Sequence, residues 1–137
     1  MKREILDYVN DILVAMTEAQ KFTEGITFED FLKDNMRQKA VEREIEIIGE
    51  AARNIPLKIQ KTYPQISWAK IIGMRNKLAH EYFGVKLQLM WDTVKENIPI
   101  DKIQFEKVKR DVEKEYKERN QQAEHPEQDI EHKGRHR

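Results

Sequence analysis

Cysteine is absent from this 137-residue chain, so it has no disulfide framework and no thiolate metal site. Glycine and proline are scarce, five and four residues, while 36% of the chain is charged and 39% apolar. That balance suits a helical protein with heavily solvated outer faces. Charge of one sign is not in excess: the formal net charge is zero, unlike that of a non-specific nucleic-acid binder. No apolar run approaches the length of a membrane span, and the N-terminus carries no apolar signal-peptide core. The expectation is a cytoplasmic protein. Internal repeats are lacking, as is any glycine loop of the Walker or dinucleotide type, so nothing marks a nucleotide fold. The length gives room for one domain with a real core.

What is present is helical periodicity. Ile5, Val9, Ile12, Leu13, Met16 and Ala19 recur at spacings of three and four, predicting a helix over 3–22 that Gly25 ends. Thr27, with Asp30 three residues on, reads as the start of a short helix through Phe31 and Leu32. A long helix over about 36–54 buries Val41, Ile45, Ile48 and Ala52, and its Gly49 suggests close approach of a neighbour. A turn of helix follows Pro56, and Ser67 caps another in which Trp68, Ile71, Ile72, Leu78 and Ala79 are expected to be buried. Trp68 reads as core. Gly84 is expected to break that helix. A further one runs from Val85 to Asn97 before Pro99, and Asp101 caps the last. The seven positive and six negative residues between Asp101 and Gln121 read as solvated faces. The domain is therefore drawn as 1–121, followed by a polar tail at 122–137 that is expected to be disordered. His125, His132 and His136 in that tail, seven and four apart in a segment without a fold, would bind a metal only weakly.

One segment concentrates chemistry. Ile72 to Val85 contains Arg75, Asn76, His80 and Tyr82, on what reads as the last turns of an apolar helix. An arginine grips phosphate through its fork of donors. A histidine can give and take a proton near neutrality. Those are the two groups needed to cleave RNA without a metal, the histidine acting on a ribose 2′-OH or on the departing 5′-oxygen. At about 100° per residue, Arg75 and His80 lie roughly 140° apart, so they share no helix face. Either the helix unwinds around Glu81 to Gly84, or the arginine of one subunit meets the histidine of another. Arg75 and Tyr82, seven apart, would share a face if the helix ran that far. Glu46 and Glu50, four apart on one helix, either pair with basic residues, form a solvated face, or line a cleft beside Arg75. Between Ser67 and Met90 the charges are Lys70, Arg75, Lys77, Lys86 and Glu81, four positive against one negative, so any pull on RNA would be local.

Longer stretches carry more. Leu6 to Leu13, Phe22 to Gly25, Glu46 to Ala52, Tyr63 to Trp68 and Met74 to Phe83, in that order and spacing, resemble the HepT family of the HEPN superfamily, across roughly residues 3–115. The resemblance implies an all-α, HEPN-type bundle of about five to six helices that forms a homodimer, with the Arg-x4-His motifs of both subunits facing one cleft. It implies the toxin of a toxin–antitoxin pair: a metal-independent endoribonuclease acting on mRNA or tRNA and releasing a 2′,3′-cyclic phosphate.

Arg75 and His80 match the family's catalytic pair, Asn76 its following polar residue, and Tyr82 the tyrosine of the longer Arg-x4-His-x-Tyr form. Glu46, Glu50 and Lys77 are the residues expected to line the cleft. The partner implied is a minimal nucleotidyltransferase antitoxin that attaches AMP to Tyr82 and silences the RNase. No metal and no cofactor of the chain's own are expected. A different class of reading is a HEPN module without chemistry, which binds nucleotide or protein and regulates a nucleotidyltransferase.

Overall fold

The computed structural model describes residues 3–124, and every regular element among them is helical. Helix α1 spans Ile5–Thr23, α2 Phe28–Leu32, α3 Asn35–Arg53 and α4 Leu57–Thr62. Helix α5 spans Trp68–Ala79, α6 Phe83–Asp92, and a π-helical turn over Thr93–Asn97 leads into α7, Ile98–Glu124. The all-α architecture is the one the resemblance implies. Residues 125–137, which hold most of the expected tail, lie outside those described; α7 itself continues through Glu124.

Helix α1 is the central element, packed against both α3 and α7, and α3 in turn carries α5 on its other side. Val9, Ile12, Ala15, Met16 and Ala19 form the buried stripe of α1, and Val41, Ile45, Ile48 and Ala52 that of α3. Both stripes follow the spacing of one helical face, which is why these two segments pair. Gly25 adopts φ 73 and turns the chain out of α1, a conformation that costs glycine nothing. The carbonyls at the end of α1 find donors elsewhere: Arg37 Nη1 reaches Phe22 O at 2.9 Å, and Lys95 Nζ reaches Thr23 O at 2.9 Å. Thr27 and Asp30 cap α2 reciprocally, as their spacing predicts, and the Thr27 groups hold the Asp30 carboxyl below its ordinary pKa.

The C-terminal half departs from expectation at Pro99, Asp101 and Ala79. Pro99 does not separate two helices. The π-helical turn before it, in which the Ile98 N–H reaches back to Thr93 O, widens the chain so that the proline ring meets no carbonyl four residues behind. Asp101 consequently caps nothing on its own helix. It sits 5% exposed inside α7 and accepts a hydrogen bond from Ser67 Oγ at 2.9 Å. Ala79, expected in the core, is exposed, and Met74 takes the inward position instead. No helix among the described residues is long and apolar enough to cross a membrane.

Candidate active site

Helix α5 presents the motif, and its inward side fixes how it is rotated. Trp68, Met74 and Leu78 are buried, which leaves Gly73, Arg75, Asn76, Lys77 and His80 in solvent. The Trp68 indole N–H donates to Tyr63 O at 2.9 Å, and its ring meets Phe105 edge-on at 5.3 Å between centroids. At the same end, Ser67 occupies the N-cap position of α5 but accepts nothing from the helix; its hydroxyl donates to Asp101. Burial pushes the Asp101 carboxyl above its ordinary pKa, while the Ser67 side chain, the Ser67 backbone and the Lys70 charge pull the other way. The ionised carboxylate stands at the positive end of the α5 dipole, where it is best tolerated. Tyr63 is pushed up to about 12 by burial first, then by its hydrogen bond to Asp111 and by that acid's charge.

Helix α3 forms the other wall. Gly49 faces α5, and a Cβ placed on it would stand 3.0 Å from the carbonyl oxygen of Ile71. The two backbones therefore approach closely beside the motif. One residue along α3, Glu50 reaches over to Arg75, with Nη1 and Oε1 3.4 Å apart and side chains 60% (Arg75) and 47% (Glu50) exposed. A pair so long and so wet contributes at most about 1 kcal/mol. A phosphate can displace Glu50 from the guanidinium at little cost.

Of the two carboxylates singled out on α3, only Glu50 meets Arg75. Glu46 pairs with Arg43 of its own helix at 3.4 Å. Sequence reasoning passed over Glu42, which holds Lys86 of α6 at 2.5 Å. Glu42, Glu46 and Glu50 recur every four residues, and that spacing was the available signal for an acidic ladder along one helix face. The ladder answers Arg75 and Lys86, so the positive excess of the segment from Ser67 to Met90 is largely neutralised across the α3 surface.

The helix ends at Ala79, and His80 is its C-cap, exposed, with its N–H on Lys77 O. Tyr82 is the N-cap of α6 and 86% exposed. Two expectations change as a result. Tyr82 does not share a helical face with Arg75, because the helix stops before reaching it. Gly84 is not the breaker either: it is the second residue of α6, and the break lies at His80 to Tyr82. The unwinding also comes after Arg75 has been fixed on regular helix, with its guanidinium turned toward α3. Arg75 and His80 thus leave α5 in different directions. Asn76 and His80, four apart, stand on one side of the helix end, and Lys77 is three before the histidine.

The chain matches the family model described as ribonuclease HepT-like over residues 12–108. A protein of Thermococcus cleftensis named probable ribonuclease HepT is 48% identical over 110 residues, 80% of this chain and 100% of that one. A protein of Methanocaldococcus jannaschii named as an RNase is 40% identical over 112 residues, covering 82% of this chain and 93% of its own. Another RNase-named protein, from Caldanaerobacter subterraneus, is 41% identical over 92 residues, 67% of this chain and 82% of its own length. No solved structure gives a significant match. By the span of the family model and the identity to these relatives, the chain belongs to the HepT-like ribonuclease family.

Proposed function

We propose that this protein is the toxin of a toxin–antitoxin pair, a cytoplasmic endoribonuclease that cuts RNA without a metal ion in a cleft shared by two copies of the chain. The observation that carries the reading is the end of α5: an exposed histidine on a helix C-cap, one turn beyond an exposed arginine that only a loose carboxylate contact restrains.

In the proposed reaction the His80 imidazole takes the proton of a ribose 2′-OH. The freed oxygen attacks the adjacent phosphorus, and the bond to the 5′-oxygen breaks. That leaves a 2′,3′-cyclic phosphate on one product and, once a proton is supplied, a 5′-hydroxyl on the other. Arg75 leaves Glu50 for the phosphoryl oxygens and stabilises the charge that builds on them. Asn76 offers a neutral amide to the same group.

The divergent directions of Arg75 and His80 within one chain support a composite site, in which the arginine of one subunit and the histidine of its partner act on one phosphate. In that arrangement the His80 of one subunit takes the 2′-OH proton and the His80 of the other gives one to the departing 5′-oxygen. Glu50 and Lys77 line that cleft; Glu46, engaged by Arg43, stands further back.

The exposure of Tyr82 supports silencing by modification of its hydroxyl. A minimal nucleotidyltransferase antitoxin uses ATP: the tyrosine oxygen bonds to the α-phosphorus, pyrophosphate leaves, and the phenol proton goes to solvent. The added AMP brings a phosphate and a nucleoside two residues from His80, where they obstruct the path of RNA. Two experiments test the reading. Cleavage products formed in EDTA should carry cyclic phosphate ends, and products with plain 3′-hydroxyl ends would contradict the proposed chemistry. Protein fully AMPylated at Tyr82 should lose cleavage; full activity in that form removes the silencing step.

A further inference from the structure

Three residues after His80 in the chain comes an aromatic ring that neither the fold nor the proposed cleavage uses. Phe83, the first residue of α6, is 65% exposed, next to Tyr82 at 86%, with Val85 at 46% close behind. The aromatic contacts among the described residues join Phe28 and Phe31 to Trp91 and Trp68 to Phe105, so Phe83 belongs to no aromatic cluster. A phenylalanine held in water forgoes the stabilisation its burial would give.

Tyr82, Phe83 and Val85 are the exposed apolar side chains of this segment. They follow His80 and Glu81 in the chain and are closed off by Lys86. Lys77, one turn before His80 on the same side of α5, makes no ion pair among the described residues. It is free to hold a phosphate.

We propose that Phe83 is a base-stacking residue, on whose ring the nucleobase flanking the scissile phosphate lies flat, so that the substrate class is single-stranded RNA. The proposal rests on the ribonuclease reading above and adds to it a specificity element. Every base presents a π-face, so such a platform tolerates sequence and discriminates by pairing state. In a duplex both faces of each base are already covered by its neighbours. The ring therefore selects for unpaired nucleotides without reading a base edge.

The test uses the full-length His80→Ala protein, which binds without turnover, and a single-stranded RNA with 2-aminopurine placed at successive positions. Stacking on Phe83 should alter the emission at one position. Phe83→Ala should abolish that change and weaken binding by roughly tenfold, in line with the loss of one stacked base. Phe83→Trp should restore both. The same sequence as a duplex should bind the variants alike. Unchanged emission and affinity in Phe83→Ala overturn the proposal, as does a loss traced by sedimentation to dissociation of the protein.

Kinetics separate the proposal from its foundation. With His80 intact, cleavage by wild type and by Phe83→Ala at equal KM refutes stacking while the ribonuclease reading stands. No cleavage by wild type removes both.

Discussion

Gly49 of α3 and Ile71 of α5 meet backbone to backbone: a methyl group on the glycine would lie 3.0 Å from the Ile71 carbonyl oxygen. This contact sets the separation of the two helices one residue from Glu50 and one turn from Arg75. Glycine inside a helix costs about 1 kcal/mol against alanine. Here the cost secures an approach that no larger residue permits.

Gly49→Ala should therefore give a mixed result. The gain in helix propensity and the push against a backbone oxygen nearly cancel, leaving stability within about 1 kcal/mol of wild type. The cleavage rate should fall roughly tenfold, because α5 must shift by a few tenths of an ångström and catalytic geometry is steep in distance. Thermal unfolding and initial rates on one RNA substrate measure the two effects. A variant that is more stable and equally fast would show that the α3–α5 spacing does not position the motif.

Arg75→Lys should lower cleavage by about a hundredfold, since a point charge replaces a planar fork aimed at the phosphoryl oxygens. Stability should hardly change. The arginine's recorded partner is Glu50, in an exposed pair worth at most about 1 kcal/mol. Kinetics at saturating RNA, alongside a denaturation curve, distinguish this from a folding defect. Rates within twofold of wild type would mean that Arg75 does not bear the developing charge.

Asp101 supplies a prediction with a definite sign. Burial raises its folded pKa above the unfolded value of about 3.9, so between those two values the folded state holds the extra proton. Its contribution to stability falls as pH rises through that window, and at neutrality the buried charge is a net cost. Asp101→Asn keeps an acceptor for the Ser67 hydroxyl and removes the titration. The difference in unfolding free energy between variant and wild type should shift in favour of the variant as pH climbs through the window. Denaturation series at several pH values test this. A difference that stays flat, or moves the other way, contradicts the assigned direction.

Much of the fold was legible because the apolar stripes of α1 and α3 are unbroken, and the paired residues Thr27 and Asp30 signal a helix start by spacing alone. The errors gathered where a distant partner overrode a local rule. Pro99 reads as a helix break, yet the π-helical turn over Thr93–Asn97 absorbs it. Asp101 reads as a cap for its own helix, yet its carboxylate serves Ser67 across the bundle. In the motif, Arg75, Asn76, His80 and Tyr82 were recognisable as residue types and spacing. Where the helix would stop was not, because nothing at His80 to Tyr82 is a breaker by composition. That single boundary decides that Tyr82 leaves the face of Arg75. Glu50 pairs with Arg75 and Glu46 with Arg43, partners for basic residues that the four-residue spacing of the two glutamates allowed but could not name.

The most direct test compares wild type with His80→Ala for RNA cleavage in EDTA, after the intact mass has shown Tyr82 free of AMP. His80 is an exposed helix cap, so the substitution should leave thermal unfolding unchanged. The account predicts that wild type cuts mixed tRNA and mRNA and that His80→Ala does not. Cleavage by a folded His80→Ala protein at the wild-type rate would contradict it.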